Sequence, residues 1–189
     1  SVIEIISGSS NILLENINVT GGYCGLYASV DDFILQNSSF NNNSLGSSFI
    51  NSTNFKVNQC IFSDNIYAQY VLGSSAFAIS NCEFLLSDIG AYVVDSHNFT
   101  ITNITSENTV SLAFLASHNF AIKNCSLTGN IYSIYCVEAT DFSIDNCIIS
   151  DSMIGFMSTT NSDFTLSNTQ IKNCSFGVLT RGQNYTIKS

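Results

Sequence analysis

From Asn11 to its end the chain repeats itself every 21 or 22 residues. Aligned on the aromatic of the Asn-Phe or Asp-Phe step, one column reads Ile12, Phe33, Phe55, Phe77, Phe99, Phe120, Phe142, Phe164 and Tyr185. Two positions on, every member is aliphatic, from Leu14 and Leu35 to Leu166 and Ile187. Two further on stand Asn16, Asn37, Gln59, Asn81, Asn103, Asn124, Asn146 and Asn168. The next position holds Cys60, Cys82, Cys125 and Cys147, and a second apolar column with Phe40, Phe62 and Phe84 follows two later. A repeat of this length that cannot bury its apolar face alone must stack on its neighbours, so the period dictates a solenoid.

Within each unit apolar residues alternate with period two, the signature of strands. The alternation slips by one after the Asn, which places a corner there. A further apolar stretch such as "QYVL", "AYVV" or "IYCV" closes each unit. The expected fold is therefore all-β: a single-stranded right-handed parallel β-helix of about eight coils, each with three short strands, in one domain over residues 1–189. A leucine-rich repeat is the competing architecture, but it places Asn three positions after Leu and spends its other half on a helix. Here Asn follows the aliphatic by two, and the other half has no helical periodicity.

The consensus (Asn/Asp)-Phe-x-Ile-x-Asn-Cys-x-Phe resembles the repeats of the pectin-lyase-like superfamily of parallel β-helix proteins. The resemblance covers nearly the whole chain and concerns the fold. It raises polysaccharide lyases and hydrolases as functions, yet the "NTD", "GHG" and "RIK" motifs of polygalacturonase-type enzymes are missing and only the bare pair Asp31–Asp32 matches "DD". Asp32 also falls where Asn or Asp precedes the aromatic in most coils, so it reads as an ordinary member of that column.

Stacked coils about 4.8 Å apart make a rod roughly 40 Å long. The Asn column Asn16, Asn37, Asn81, Asn103, Asn124, Asn146 and Asn168 is expected to form a buried amide ladder at the corner, since Asn tolerates left-handed backbone and bonds to its own kind. Cys60 and Cys82 become neighbours, as do Cys125 and Cys147. They are expected to be free thiols packed as small hydrophobes, although the sequence leaves their oxidation state open. None of the seven Cys has zinc spacing, so no metal and no cofactor is expected.

Charge excludes several classes. Charged residues are only 10% of the chain, and with five Lys and Arg against 14 Asp and Glu the net charge is −9. No cationic groove for nucleic acid exists, an anionic lipid surface is disfavoured, and no apolar run reaches the length of a membrane span. Neither end reads as a capping helix, so the chain is expected to be a segment of a longer protein or to dock end-on.

The candidate site residues are few. Asp95 and Glu138 share a column across Ala116, two coils or roughly 10 Å apart, with Arg181 placed two coils beyond. His97 and His118 stack but lack further ligands. The outward column of the third strand is read as Leu26, Ser48, Tyr70, Tyr92, Ala113, Tyr135, Met157 and Val178, with Ala28, Ile50, Leu72, Val94, Leu115 and Val137 beside it. If both columns face outward they form an apolar stripe that needs a partner; if the second turns inward, only a Tyr stripe remains. Of the Asn-x-Ser/Thr sites, Asn18, Asn42 and Asn51 are the expected surface glycan acceptors, whereas Asn37, Asn103 and Asn124 are expected to be buried.

The uniform coils leave no loop to wall a cleft. They favour a non-catalytic structural or interaction solenoid, outside the cell or on its surface, that meets a protein partner or itself through the stripe or the uncapped ends. A carbohydrate-active or sugar-binding β-helix is the alternative.

Overall fold

A computed structural model describes residues 3–6 and 8–188. Every strand pair in it is parallel and every neighbour lies one coil away, as in Asp31–Gln36, Ser39–Asn41 and Leu45–Ile50 of a single coil. The short second strands form an eight-stranded sheet. The first and third strands form ladders that join in one 16-stranded sheet, because the strands Ile154–Ser167 and Phe176–Lys188 run through both. No helix occurs among the described residues, which removes the leucine-rich alternative.

The core follows the columns. Phe55, Phe77, Phe99, Phe120 and Phe142 stack ring on ring at 4.6 to 4.9 Å, within 6° of coplanar. That spacing is the coil pitch itself. Phe164 and Tyr185 extend the pile at 5.0 Å. Only Phe33 stands apart, because Phe49 of the third strand slides over Phe55 at 4.1 Å. The aliphatic column Leu35, Val57, Ile79, Ile101, Ile122 and Ile144 is fully buried beside the rings. Each such side chain contributes about 1.5–3 kcal/mol by leaving water.

The corners correct one expectation. Asn16, Asn37, Asn81, Asn103, Asn124, Asn146 and Asn168 are exposed, not buried. All have φ between 47° and 56°, the left-handed region that Asn tolerates. That turn swings the Asn side chain outward and hands the inward position to the next residue. The amides do bond to one another on the outside: Asn103 donates to Asn81 at 2.9 Å and Asn146 to Asn124 at 2.7 Å.

The buried polar ladders lie at the other two corners. After the second strand, Asn43, Asn65, Ser87, Asn108, Asn130 and Ser152 point inward, and each accepts the backbone N–H of the preceding coil, as Asn65 does from Asn43 at 3.0 Å. After the third strand, Ser52, Ser74, Ser96 and Ser117 do the same at 3.1 to 3.3 Å. A corner leaves backbone donors facing the core, and these side chains satisfy them.

The two coil lengths have one structural cause. Each 22-residue coil has a left-handed residue at every corner, such as Asp64 and Gly73 between Phe55 and Phe77. A 21-residue coil omits one. The coil ending at Phe33 has no left-handed residue after its third strand, where the next coil has Asn51. The coil from Phe99 to Phe120 omits it after the second strand, where its neighbours have Leu86 and Gly129. The last coil omits it again opposite Thr160, where the register shifts between Thr159 and Asn161. The position that follows is retained each time, as Val30, Asn108 and Gly182, the first two of them buried.

Candidate functional site

The third strands decide what the rod shows to solvent. After its first residue each turns two consecutive residues inward, as Ala68 and Gln69 are both buried after Tyr67. This irregularity turns three positions outward: Tyr67, Tyr70 and Leu72 in one coil, Ile89, Tyr92 and Val94 in the next. Both columns of the expected stripe therefore face outward from Ile50 to Val137, and a third column (Leu45, Tyr67, Ile89, Val110, Tyr132) joins them. Ala28 is the exception, buried opposite Phe49.

Two ends of the stripe need correction. Tyr27, not Leu26, pairs with Ser48, and Leu26 is fully buried. Leu179, not Val178, pairs with Met157. In both coils the omitted corner residue lies after the strand, so counting back or forward by a whole coil misplaces the register by one.

The corrected central column reads Glu4, Tyr27, Ser48, Tyr70, Tyr92, Ala113, Tyr135, Met157 and Leu179. The Tyr67, Tyr70 and Tyr92 rings make one cluster, with centroids 5.4 to 5.9 Å apart. Tyr132 and Tyr135 make a second at 5.6 Å. Burial raises the Tyr92 phenol above its usual range, helped by the phenols of Tyr67, Tyr70 and Tyr135 nearby. Across the three columns, from Tyr27 to Met157, no side chain is charged. Glu4 closes one end and Arg181, at the strand end opposite Thr159, the other.

At the Glu4 end the face sinks into an open groove of about 810 Å³. Tyr23, Tyr27, Tyr67 and Tyr70 wall it, and Ser48 lies in its floor, where a Tyr-sized side chain would fill the space. Ser48 is 1% exposed and its hydroxyl has no hydrogen-bond partner.

The remaining candidates are placed as follows. Asp95, Ala116 and Glu138 stand on consecutive coils at the left-handed position after the third strand, exposed along one edge of the apolar face. Arg181 is not in their column, because the last coil has no residue at that corner. Asp31 accepts a hydrogen bond from the Thr53 hydroxyl and Asp32 one from the Asn54 amide, each one coil on, so both carboxylates are tied into exterior ladders. His97 and His118 pair in register with parallel rings 5.0 Å apart. No group of three or more His, Cys, Asp or Glu among the described residues is arranged to hold a metal ion.

All seven Cys are free, six of them buried. Donating its hydrogen bond to Cys60, and then burial, push the Cys82 thiol well up, and Cys125 is raised in the same way by donating to Cys147. Such thiols are poor nucleophiles. Asn18, Asn42 and Asn51 are exposed; so are Asn37, Asn103 and Asn124, against the expectation that the corner buries them. No helix of the described residues is long and apolar enough to cross a membrane.

The family profile described as "Right handed beta helix region" matches residues 1–142 and 114–188. No curated protein matches the sequence. Among solved structures, the A-module of the mannuronan C-5 epimerase AlgE6 of Azotobacter vinelandii superposes with a TM-score of 0.73 at 13% identity, over 97% of this chain and 66% of that one. The enzymatically active domain of bacteriophage CBA120 tailspike protein 2 gives 0.68 at 10% identity, over 98% and 35%. An alginate lyase from a Paenibacillus species gives 0.50 at 9% identity, over 100% and 91%. At these identities the likeness is one of fold. The chain spans less than two thirds of the first two structures' length.

Proposed function

The chain belongs to the right-handed β-helix family, and from that premise we propose that it binds polysaccharide along its third-strand face. The observation that carries this reading is the face itself: three outward columns of apolar and tyrosyl side chains, uncharged from Tyr27 to Met157. Sugar rings present apolar C–H faces and polar edges, which suits a phenol with its apolar body and polar tip. Polymers of repeating rings suit a platform that itself repeats at a fixed pitch. The epimerase, the alginate lyase and the tailspike's enzymatically active domain with which it shares a fold support the premise. We place the protein outside the cell or on its surface, where such polymers are met.

Whether a bond is also cleaved turns on Asp95 and Glu138, the carboxylates on the rim of the face. Two coils apart, roughly 10 Å at the strand pitch, they lie close to the spacing of an inverting pair. Incubation with neutral and acidic polysaccharides, with and without calcium, tests binding and cleavage together. Co-sedimentation with a polymer without new reducing ends or unsaturated uronates is the expected result. Release of either product would make the chain an enzyme, and absence of binding to every polymer would remove the proposal.

A rigid spacer that docks a protein partner or a second copy on the same face is the second reading. It is favoured by coils that never depart from 21 or 22 residues, which leaves no long loop to build a cleft.

A further inference from the structure

We propose that the groove between Tyr27 and Tyr70 is a subsite for an uncharged saccharide, and that the face as a whole selects neutral over acidic polymers; this rests on the polysaccharide reading above.

The first observation is the break in the central column. Tyr27, Ser48 and Tyr70 occupy consecutive coils at the same outward position. A small residue between two aromatic ones leaves a slot one coil wide, and that slot opens into the groove of about 810 Å³. Its walls offer ring faces and its floor offers the Ser48 hydroxyl, 1% exposed and without a partner. An unpartnered buried hydroxyl carries a desolvation cost that a ligand hydroxyl would relieve. Glu4, in line with Tyr27 at the groove's end, supplies a carboxylate to accept from sugar hydroxyls.

The second observation is the charge around the face. Its edges carry Asp95 and Glu138 on one side and Asp64, Asp88 and Asp151 on the other, all exposed. Of the five cations, Lys56 and Lys123 lie on first strands and Lys172 on a second strand. Arg181 and Lys188 lie in the last coil. Nothing positive faces the groove, and Glu4 lines it. A polyuronate laid along this face from Tyr27 to Met157 would meet like charge on both long edges, the one cation at the face being Arg181 at the end far from the groove, whereas a neutral ring meets phenols and hydroxyls.

Affinity electrophoresis of the full chain tests this, through gels carrying a soluble β-glucan or galactomannan and, separately, alginate or polygalacturonate at pH 7. Retardation in a neutral gel and none in the uronate gels is expected. Tyr70→Ala should weaken retardation about tenfold, and Ser48→Leu, which fills the floor, should abolish it. The chain has eight Tyr and no Trp, so tyrosine emission reports on the same site: a neutral oligosaccharide should change it in the native chain and not in Ser48→Leu. Circular dichroism checks folding, and Glu4→Gln, on an exposed position, serves if Tyr70→Ala does not fold. Retardation by uronates equal to or above that by neutral polymers overturns this inference and leaves the polysaccharide reading standing. Retardation that all three variants leave unchanged overturns the subsite. Retardation by none of the polymers overturns both, as does a dimer in sedimentation velocity that Ser48→Leu dissociates.

Discussion

Gln69 and Ser47 stand side by side on neighbouring third strands, and both turn into the core without a hydrogen-bond partner. Neither the amide nitrogen nor the amide oxygen of Gln69 is satisfied, and the residue is 0% exposed. Other coils put Ala91, Leu112, Ile134 and Phe156 at this position. Gln69→Met, of similar volume and with no amide to desolvate, should stabilise the fold by about 1–3 kcal/mol. Urea denaturation checks it; a lower midpoint would mean that the amide is held by contacts this structure does not contain.

Phe99 lies between Phe77 at 4.6 Å and Phe120 at 4.7 Å, and also touches Phe114 at 5.9 Å between centroids. Neighbours fixed by the ladder cannot collapse into a vacated ring. Phe99→Ala should therefore cost about 3–5 kcal/mol. Phe99→Leu should cost clearly less, and equal losses in thermal melts of the two would rule out the cavity argument.

Ser74 acts twice at its corner: its hydroxyl accepts the backbone N–H of Ser52 at 3.1 Å and donates to the Leu72 carbonyl at 3.0 Å. Ser74→Ala strands a buried donor and should cost about 1–3 kcal/mol. Hydrogen exchange gives the local test: the Ser52 amide should lose protection in the variant while amides in distant coils keep theirs.

Burial raises the Cys24 thiol from 9.0 to about 11, despite the opposing backbone hydrogen bond at Leu26. Between those values the folded chain holds the proton that the unfolded chain has released, so stability falls as pH rises. The contribution is intact below about pH 9 and is lost by about pH 11. Stability measured from pH 8 to 11 should decline less in Cys24→Ala than in the native chain. In the native state Cys174, the one partly exposed thiol, should react with a thiol reagent ahead of the other six.

The inward columns were legible in the sequence because each holds one kind of residue. Phe55, Phe77 and Phe99 announce both the period and the direction in which they point. The Asn corner was legible as a corner but not in its facing, since a left-handed residue reverses the alternation that the eye follows. The buried ladders are not legible as columns, because each mixes residue types. Asn43, Asn65 and Ser87 share a task, accepting one backbone N–H, and not a side chain. Tyr27 is hidden in the sequence for a different reason: its coil omits the corner residue after the third strand, so a count back from Phe33 falls on Leu26. The groove over Ser48 could be read only once that register was known.

The omission of single corner residues has a consequence for how such a chain changes over generations. In most β-proteins, losing one residue within a strand turns every later side chain to the wrong face. Here the coils ending at Phe33, Phe120 and Tyr185 are each one residue short, and the aromatic and aliphatic columns still fall on their neighbours. The bends act as expansion joints. Small insertions and deletions confined to them leave no trace in the stack, so the outer surface is free to drift while the pitch, and with it the spacing of whatever the rod displays, stays fixed.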